Sequence, residues 1–245
     1  MKRRNVWMTG LIVILVIPLG LFADYFYYEK VKIHEVKKGM VSELSSTYGD
    51  RFMVREISYG KALGDEAGTY TAEVYPEGNK GLEFQVILSE DGKILSESYK
   101  ESKWRSEAIE SWKPVMNKFG ITSYAVNIHI PDEIAVKYDL EDTYLDLYQK
   151  HKDVMDEYLF IAQIEKSFDK KKETSRVMEM TNYALQRKLR YFSIDWTYYE
   201  NGNKDAGVFE LRKTTASYRW RFSKDAVSTG VTEENLDRSF IQHKE

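Results

Sequence analysis

VWMTGLIVILVIPLGLFA, residues 6–23, is the stretch on which the reading of this chain turns. It carries no charge, Lys2, Arg3 and Arg4 precede it, and Asp24 follows it. A helix through it rises ~1.5 Å per residue and reaches ~27 Å, close to the thickness of a bilayer's hydrocarbon core. The run therefore predicts a membrane-spanning helix from Val6 to Ala23. Short flanks rich in Lys and Arg stay in the cytoplasm, which predicts a single-pass protein of the cell membrane with its polar remainder outside. Tyr25, Phe26, Tyr27 and Tyr28 read as an interfacial belt, and Pro18 as a kink that lipid-embedded helices tolerate. A cleaved secretory signal is the competing reading. Such signals end in small residues at alternate positions, whereas Gly20-Leu21-Phe22-Ala23 offers only Ala23, which argues for a retained signal-anchor.

Composition narrows the classes for the rest. The 245 residues carry a net charge of −3, without the clustered basic face that holds phosphates, so nucleic acid is set aside as a partner. Charged residues at 31% and aromatics at 14% describe a folded, well-cored chain rather than a disordered one. Cysteine is absent, so no disulfide staples the fold and no thiol carries a lipid. That usage suits a bacterial envelope.

Residues 29–47 approximate helical spacing and end at Tyr48-Gly49. Residues 51–59 and 69–75 alternate as strands, 82–88 form a third, and Asp91-Gly92 turns the chain into a fourth at 93–98. Residues 102–119 return to helical spacing, with Trp104, Ala108, Trp112, Val115, Met116 and Phe119 on one side. Pro114 is expected to bend or break that helix, and Gly120 ends it. Further on, strands are expected at 124–130 and 156–168, and helices at 140–152 and 173–190. Lys170, Lys171 and Lys172 read as a solvated turn. Strands at 191–200, 207–214 and 217–223 close the chain as a meander, before a polar tail.

The expected architecture is α+β: an anchor over 1–28, a first domain over 29–120, a second over 121–224 and a tail over 225–245. Each domain is an antiparallel sheet with helices. REISY at 55–59 and YTAEVYPEGNKGLEFQV at 70–86, behind a helix ending in Tyr48-Gly49, resemble the YfjL-like proteins of Bacillus and relatives. That resemblance rests on residues 35–119 and the two-part layout. It implies an envelope protein of a Gram-positive bacterium and transfers no functional residue. The first domain's helix-and-sheet order is also similar to cystatin-like and PepSY-like modules, which implies protein or peptide binding at the level of fold alone.

Motifs that carry chemistry are sparse. His34, His129, His151 and His243 stand apart, and HExxH, GxSxG, paired cysteines and a phosphate loop are all missing. No catalytic, metal or cofactor residue is assigned. Asp139, Glu141, Asp142 and Asp146 crowd one helix start, where carboxylates complement the helix dipole, and they lack the pattern of a calcium loop. Tyr218-Arg219-Trp220-Arg221-Phe222 alternates rings and guanidiniums, so a strand sends its rings one way and its arginines the other. Its plain reading is an aromatic core under a solvated edge. Its functional reading is a cationic strip of Arg219 and Arg221, joined by Arg212 and Lys213, that grips an anionic cell-wall polymer or a carboxylate. Trp196 and Tyr198 could instead flank an aromatic groove for carbohydrate or peptide. The expected function is a non-catalytic binding module of the envelope. The alternatives are an envelope hydrolase whose carboxylates meet only in the fold, and an accessory subunit of a membrane complex.

Overall fold

The computed structural model describes residues 25–62, 64–165, 167–201, 207–213, 215–228 and 230–243. Two compact units divide the chain, residues 1–102 and 103–245.

In the first unit a π-helical turn, Tyr27–Lys32, runs into the helix Ile33–Tyr48. Val36, Met40 and Leu44, spaced at four, form its buried stripe. Gly49 stops it with φ of 76°, a left-handed conformation that costs glycine little, and its N–H bonds the Ser45 carbonyl at 3.0 Å. The antiparallel sheet beside it follows the order β1 (Phe52–Gly60), β2 (Thr69–Pro76), β3 (Phe84–Ser89) and β4 (Ile94–Glu97). Tyr70, Ala72 and Val74 alternate into its core with Phe84, Val86 and Leu88.

Of the ring cluster at 25–28, Tyr25, Phe26 and Tyr27 are exposed and Tyr28 is half-buried in this unit. Tyr28 stacks on Tyr59 at 4.9 Å, and the Tyr70 hydroxyl donates to the Tyr28 carbonyl. Glu90 accepts from the Gly68 N–H at 2.7 Å and from the Tyr59 hydroxyl at 2.8 Å. Donation from Gly68, then from Tyr28 and Tyr59, holds its carboxyl down at about 2 against an ordinary value of 4.5. A depressed carboxyl contributes stability above its unfolded pKa and loses it as pH falls through the folded one. Acid unfolding midpoints of the first unit should therefore decline between pH 4.5 and about 2. Glu90→Gln should flatten that decline, and an unchanged slope would contradict the assignment.

The second unit starts inside the helix Tyr99–Lys118, which continues through Pro114 without a break. The expected boundary at Gly120 moves to Ser102, because Trp104, Ala108, Trp112 and Met116 belong to the second unit's core. The sheet order is β5 (Ser123–His129), β6 (Asp156–Ile164), β7 (Tyr191–Tyr199), β8 (Tyr218–Ser223) and β9 (Phe240–Gln242). One face packs against the helices Tyr99–Lys118, Tyr144–His151 and Lys170–Gln186 through Val126, Leu159, Ile161, Ile194, Trp196, Tyr198, Trp220 and Phe222.

Five expectations are corrected here. Among the described residues no helix is long and apolar enough to cross a membrane, and the run 6–23 lies outside them. The transmembrane signal-anchor is therefore withdrawn from the fold class, which is α+β with two sheets. The second sheet is mixed, since β6 and β7 pair in parallel; a 17-residue helix between them carries the chain back to the same end. Lys170 to Lys172 form the first turn of that helix, because the Asp169 carboxylate caps the Lys171 and Lys172 N–H groups. Residues 208–211 are helical, since Val208 and Leu211, three apart, bury together beside Ala162 and Tyr199. Finally, the tail expected to be merely polar adds to the sheet and core among its described residues: Leu236 is buried on the helix Glu233–Arg238, and β9 supplies the meander's third strand.

Candidate functional site

The face of the second sheet away from that core holds the arginines singled out above. In β8, Tyr218, Trp220 and Phe222 point into the core, and Arg219 and Arg221 emerge on the other side. The partner strand places Asp195 opposite Arg221 and Thr197 opposite Arg219. Asp195 is 7% exposed, and three guanidiniums converge on its Oδ2. Arg219 grips it with both prongs, Nε lying 2.6 Å from Oδ1 and Nη2 bonding Oδ2. Arg221 Nη2 stands at 3.1 Å and Arg212 Nη2 at 3.5 Å. Burial opposes ionisation of Asp195, but donation from Arg219 and then Arg221 outweighs it and holds the carboxyl below its ordinary range. Arg212, just beyond the helix Val208–Leu211, lies 4.9 Å over the Phe160 ring. Three cations and one anion leave a surplus of two positive charges. Side-chain exposure of 58% for Arg221 and 34% for Arg212 leaves their remaining donors open to solvent.

Trp196 and Tyr198 are corrected from groove-lining to core positions. Both are at most 1% exposed, since they share a strand face with Ile194 and lie under the helices. Trp196 donates to Gln163 at 2.7 Å, and Tyr198 to Glu173 at 2.5 Å. Lys213 is exposed next to Arg212. Asp195, the centre of the cluster, was not legible as such; its signal was a lone carboxylate among the aromatics of SIDWTYY, paired across from YRWRF.

Three further buried carboxylates are also tied to arginine. Asp156 takes both prongs of Arg190 at 2.8 and 2.5 Å. Glu173 accepts from Arg176 at 2.7 Å. Glu157, 1% exposed, accepts from Arg187 at 2.6 Å, Trp112 at 2.7 Å and the Tyr144 hydroxyl. Burial and then the Glu157 charge push the Tyr144 hydroxyl far above its usual value. Each of these carboxylates has one or both oxygens engaged by partners within the fold.

The acidic group at 139–146 is a capping arrangement. Asp146 and Thr143 form a reciprocal capping box, Asp142 accepts from the Asp139 N–H, and Asp139 from the Glu141 N–H. His151 pairs with the Tyr138 hydroxyl at 2.7 Å. Among the described residues no group of three or more His, Cys, Asp or Glu could hold a metal ion. One cavity of about 300 Å³ does bring two carboxylates together, Glu233 and Asp237, one helical turn apart. Both are exposed, Lys170 and Lys171 line the same space, and Lys170 bonds Asp237 at 2.8 Å.

Fold and site together define a two-unit α+β protein with an arginine-bearing sheet face. No family model matches the chain, and no curated protein does. The chain is similar to the crystal structure of a DUF5037 family protein from Ruminococcus gnavus, with 14% identity and a TM-score of 0.50 over 75% of this chain and 88% of that one. At that identity the likeness speaks for the fold alone.

Proposed function

We propose that this protein is a non-catalytic binding module, with the outer face of β5–β9 as its contact surface. The observation that carries the reading is the convergence of Arg212, Arg219 and Arg221 on one buried carboxylate, which leaves a pre-formed cationic patch with Arg221 and Arg212 partly exposed on the outer side of the sheet. Asp195 positions the guanidiniums in advance, so little side-chain freedom is left to lose on binding. Asp156, Glu157, Glu173 and Asp195 each have carboxylate oxygen engaged by an arginine within the fold, which supports the same reading.

Photo-crosslinking in intact host cells tests this directly. A benzophenone side chain in place of Ile241, which pairs with Arg219 and is 43% exposed, should give discrete adducts. The same group in place of the exposed Lys171 should give none. Equal labelling at both positions would contradict the reading. So would release of product from cell-wall material that Asp237→Asn abolishes, because that is the outcome a hydrolase built on Glu233 and Asp237 requires.

A further inference from the structure

We propose that the outer face of the second sheet docks an acidic, ring-bearing segment of another protein. The inference rests on the binding reading above and names the chemistry of the partner.

Its first support is composition. The cations that reach Asp195 and Asp156 are all arginines: Arg190, Arg212, Arg219 and Arg221. Beside them the same face shows rings. Tyr158 meets Tyr191 at 5.8 Å, and Phe160 meets Phe209 at 6.0 Å. Phe209 is 54% exposed, while Tyr158, Phe160 and Tyr191 are half-buried. Arginine together with aromatic residues is the signature of the central part of protein–protein contacts, where lysine is depleted. An exposed phenylalanine beside guanidiniums has no use for a chain of phosphates.

The second support is the amount of charge. Polyanions are held by many cations at once, with affinity that scales with the phosphates neutralised. Here the cluster offers two surplus charges. That suffices to pair one or two carboxylates and to orient a partner, while the rings supply the apolar contact. Arg212 joins the two halves, since it reaches Asp195 and lies over Phe160. A carboxylate bound by Arg212 and Arg221 would therefore stand next to the ring pair of Phe160 and Phe209.

Defined polymers separate these contributions. Binding of the full chain is measured to a random Glu–Tyr copolymer, to polyglutamate of equal length and to inorganic polyphosphate. The copolymer should bind about tenfold more tightly than either of the others, as one or two buried ring contacts imply. Arg221→Glu should weaken copolymer binding by about tenfold or more, and Phe209→Ala several-fold with polyglutamate binding unchanged. Phe209 is 54% exposed, so the thermal midpoint of Phe209→Ala should lie near the parent's, whereas Arg221→Glu places a carboxylate beside buried Asp195 and is compared at a temperature where circular dichroism shows it folded. Lys171→Glu, the same charge change elsewhere, should leave binding within about twofold, as expected for a charge screened from the site. Equal affinity for copolymer and polyglutamate, tightest binding of polyphosphate, no binding of any polymer, or indifference to Arg221→Glu would each overturn the proposal. Crosslinks at position 241 in cells alongside any of these results would leave the binding reading standing and remove only the partner's chemistry.

Discussion

Replacing Glu157 with alanine is expected to destabilise the second unit by about 3–5 kcal/mol, the cost of stranding a buried charge. Arg187 would lose its counter-ion while its side chain stays 10% exposed between the rings of Trp112 and Tyr148, 4.8 Å from each. Trp112 Nε1 and the Tyr144 hydroxyl would lose their acceptor in the same step. Urea unfolding followed by tryptophan fluorescence reads this out, since four of the five tryptophans, Trp104, Trp112, Trp196 and Trp220, belong to the second unit, and Trp7→Phe removes the fifth signal. The double change Glu157→Leu with Arg187→Met should recover the part of the loss due to the stranded guanidinium, because apolar pairs of similar volume often replace buried ion pairs at no net cost, and should leave the part due to the Trp112 and Tyr144 donors. A single-variant loss below about 1 kcal/mol, the scale of a solvent-exposed pair, would show that the network is wet rather than buried.

Trp196→Ala is expected to cost about 3–5 kcal/mol, as large-to-small changes of buried aromatics do. The ring is fully buried, stacks parallel to Tyr198 at 6.0 Å and lies beneath the Arg176 guanidinium at 5.5 Å. Affinity for the Glu–Tyr copolymer, measured at a temperature where the variant is folded, should be that of the parent. A ligand-stacking tryptophan would give the reverse, with lost binding and a midpoint near the parent's. The comparison therefore decides between core and groove at the position where sequence alone allowed both.

The first unit was legible where its elements obey one period: Val36, Met40 and Leu44 recur every four residues, and Tyr70, Ala72 and Val74 every two. The second unit was harder for identifiable reasons. β7 is buried on both faces from Ile194 to Tyr199, so alternation cannot say which side chains face the helices. Trp196 was thus read as a surface candidate, although it shares a face with Ile194. Gly207 to Thr214 alternates well enough to pass for a strand, and only its packing on Ala162 and Tyr199 selects a helix. The lysine run looked like a turn because three consecutive cations follow a strand expected to end at Phe168, and the capping role of Asp169 between them shows only in its bonds to the Lys171 and Lys172 N–H groups. The arginine strip was visible in the 218–222 alternation. Its organising carboxylate was not, since Asp195 lies 24 residues from Arg219 and meets it only through the β7–β8 register.

That register carries the account, and the side-chain Nε–Hε resonances of the arginines test it most directly. On titration with the Glu–Tyr copolymer, the signals of Arg212, Arg219 and Arg221 should shift together, while those of Arg176 and Arg187, on the helix-covered side of the sheet, stay fixed. Shifts at Arg176 or Arg187, or stationary signals from the three that surround Asp195, would contradict the assignment of the outer face as the contact surface.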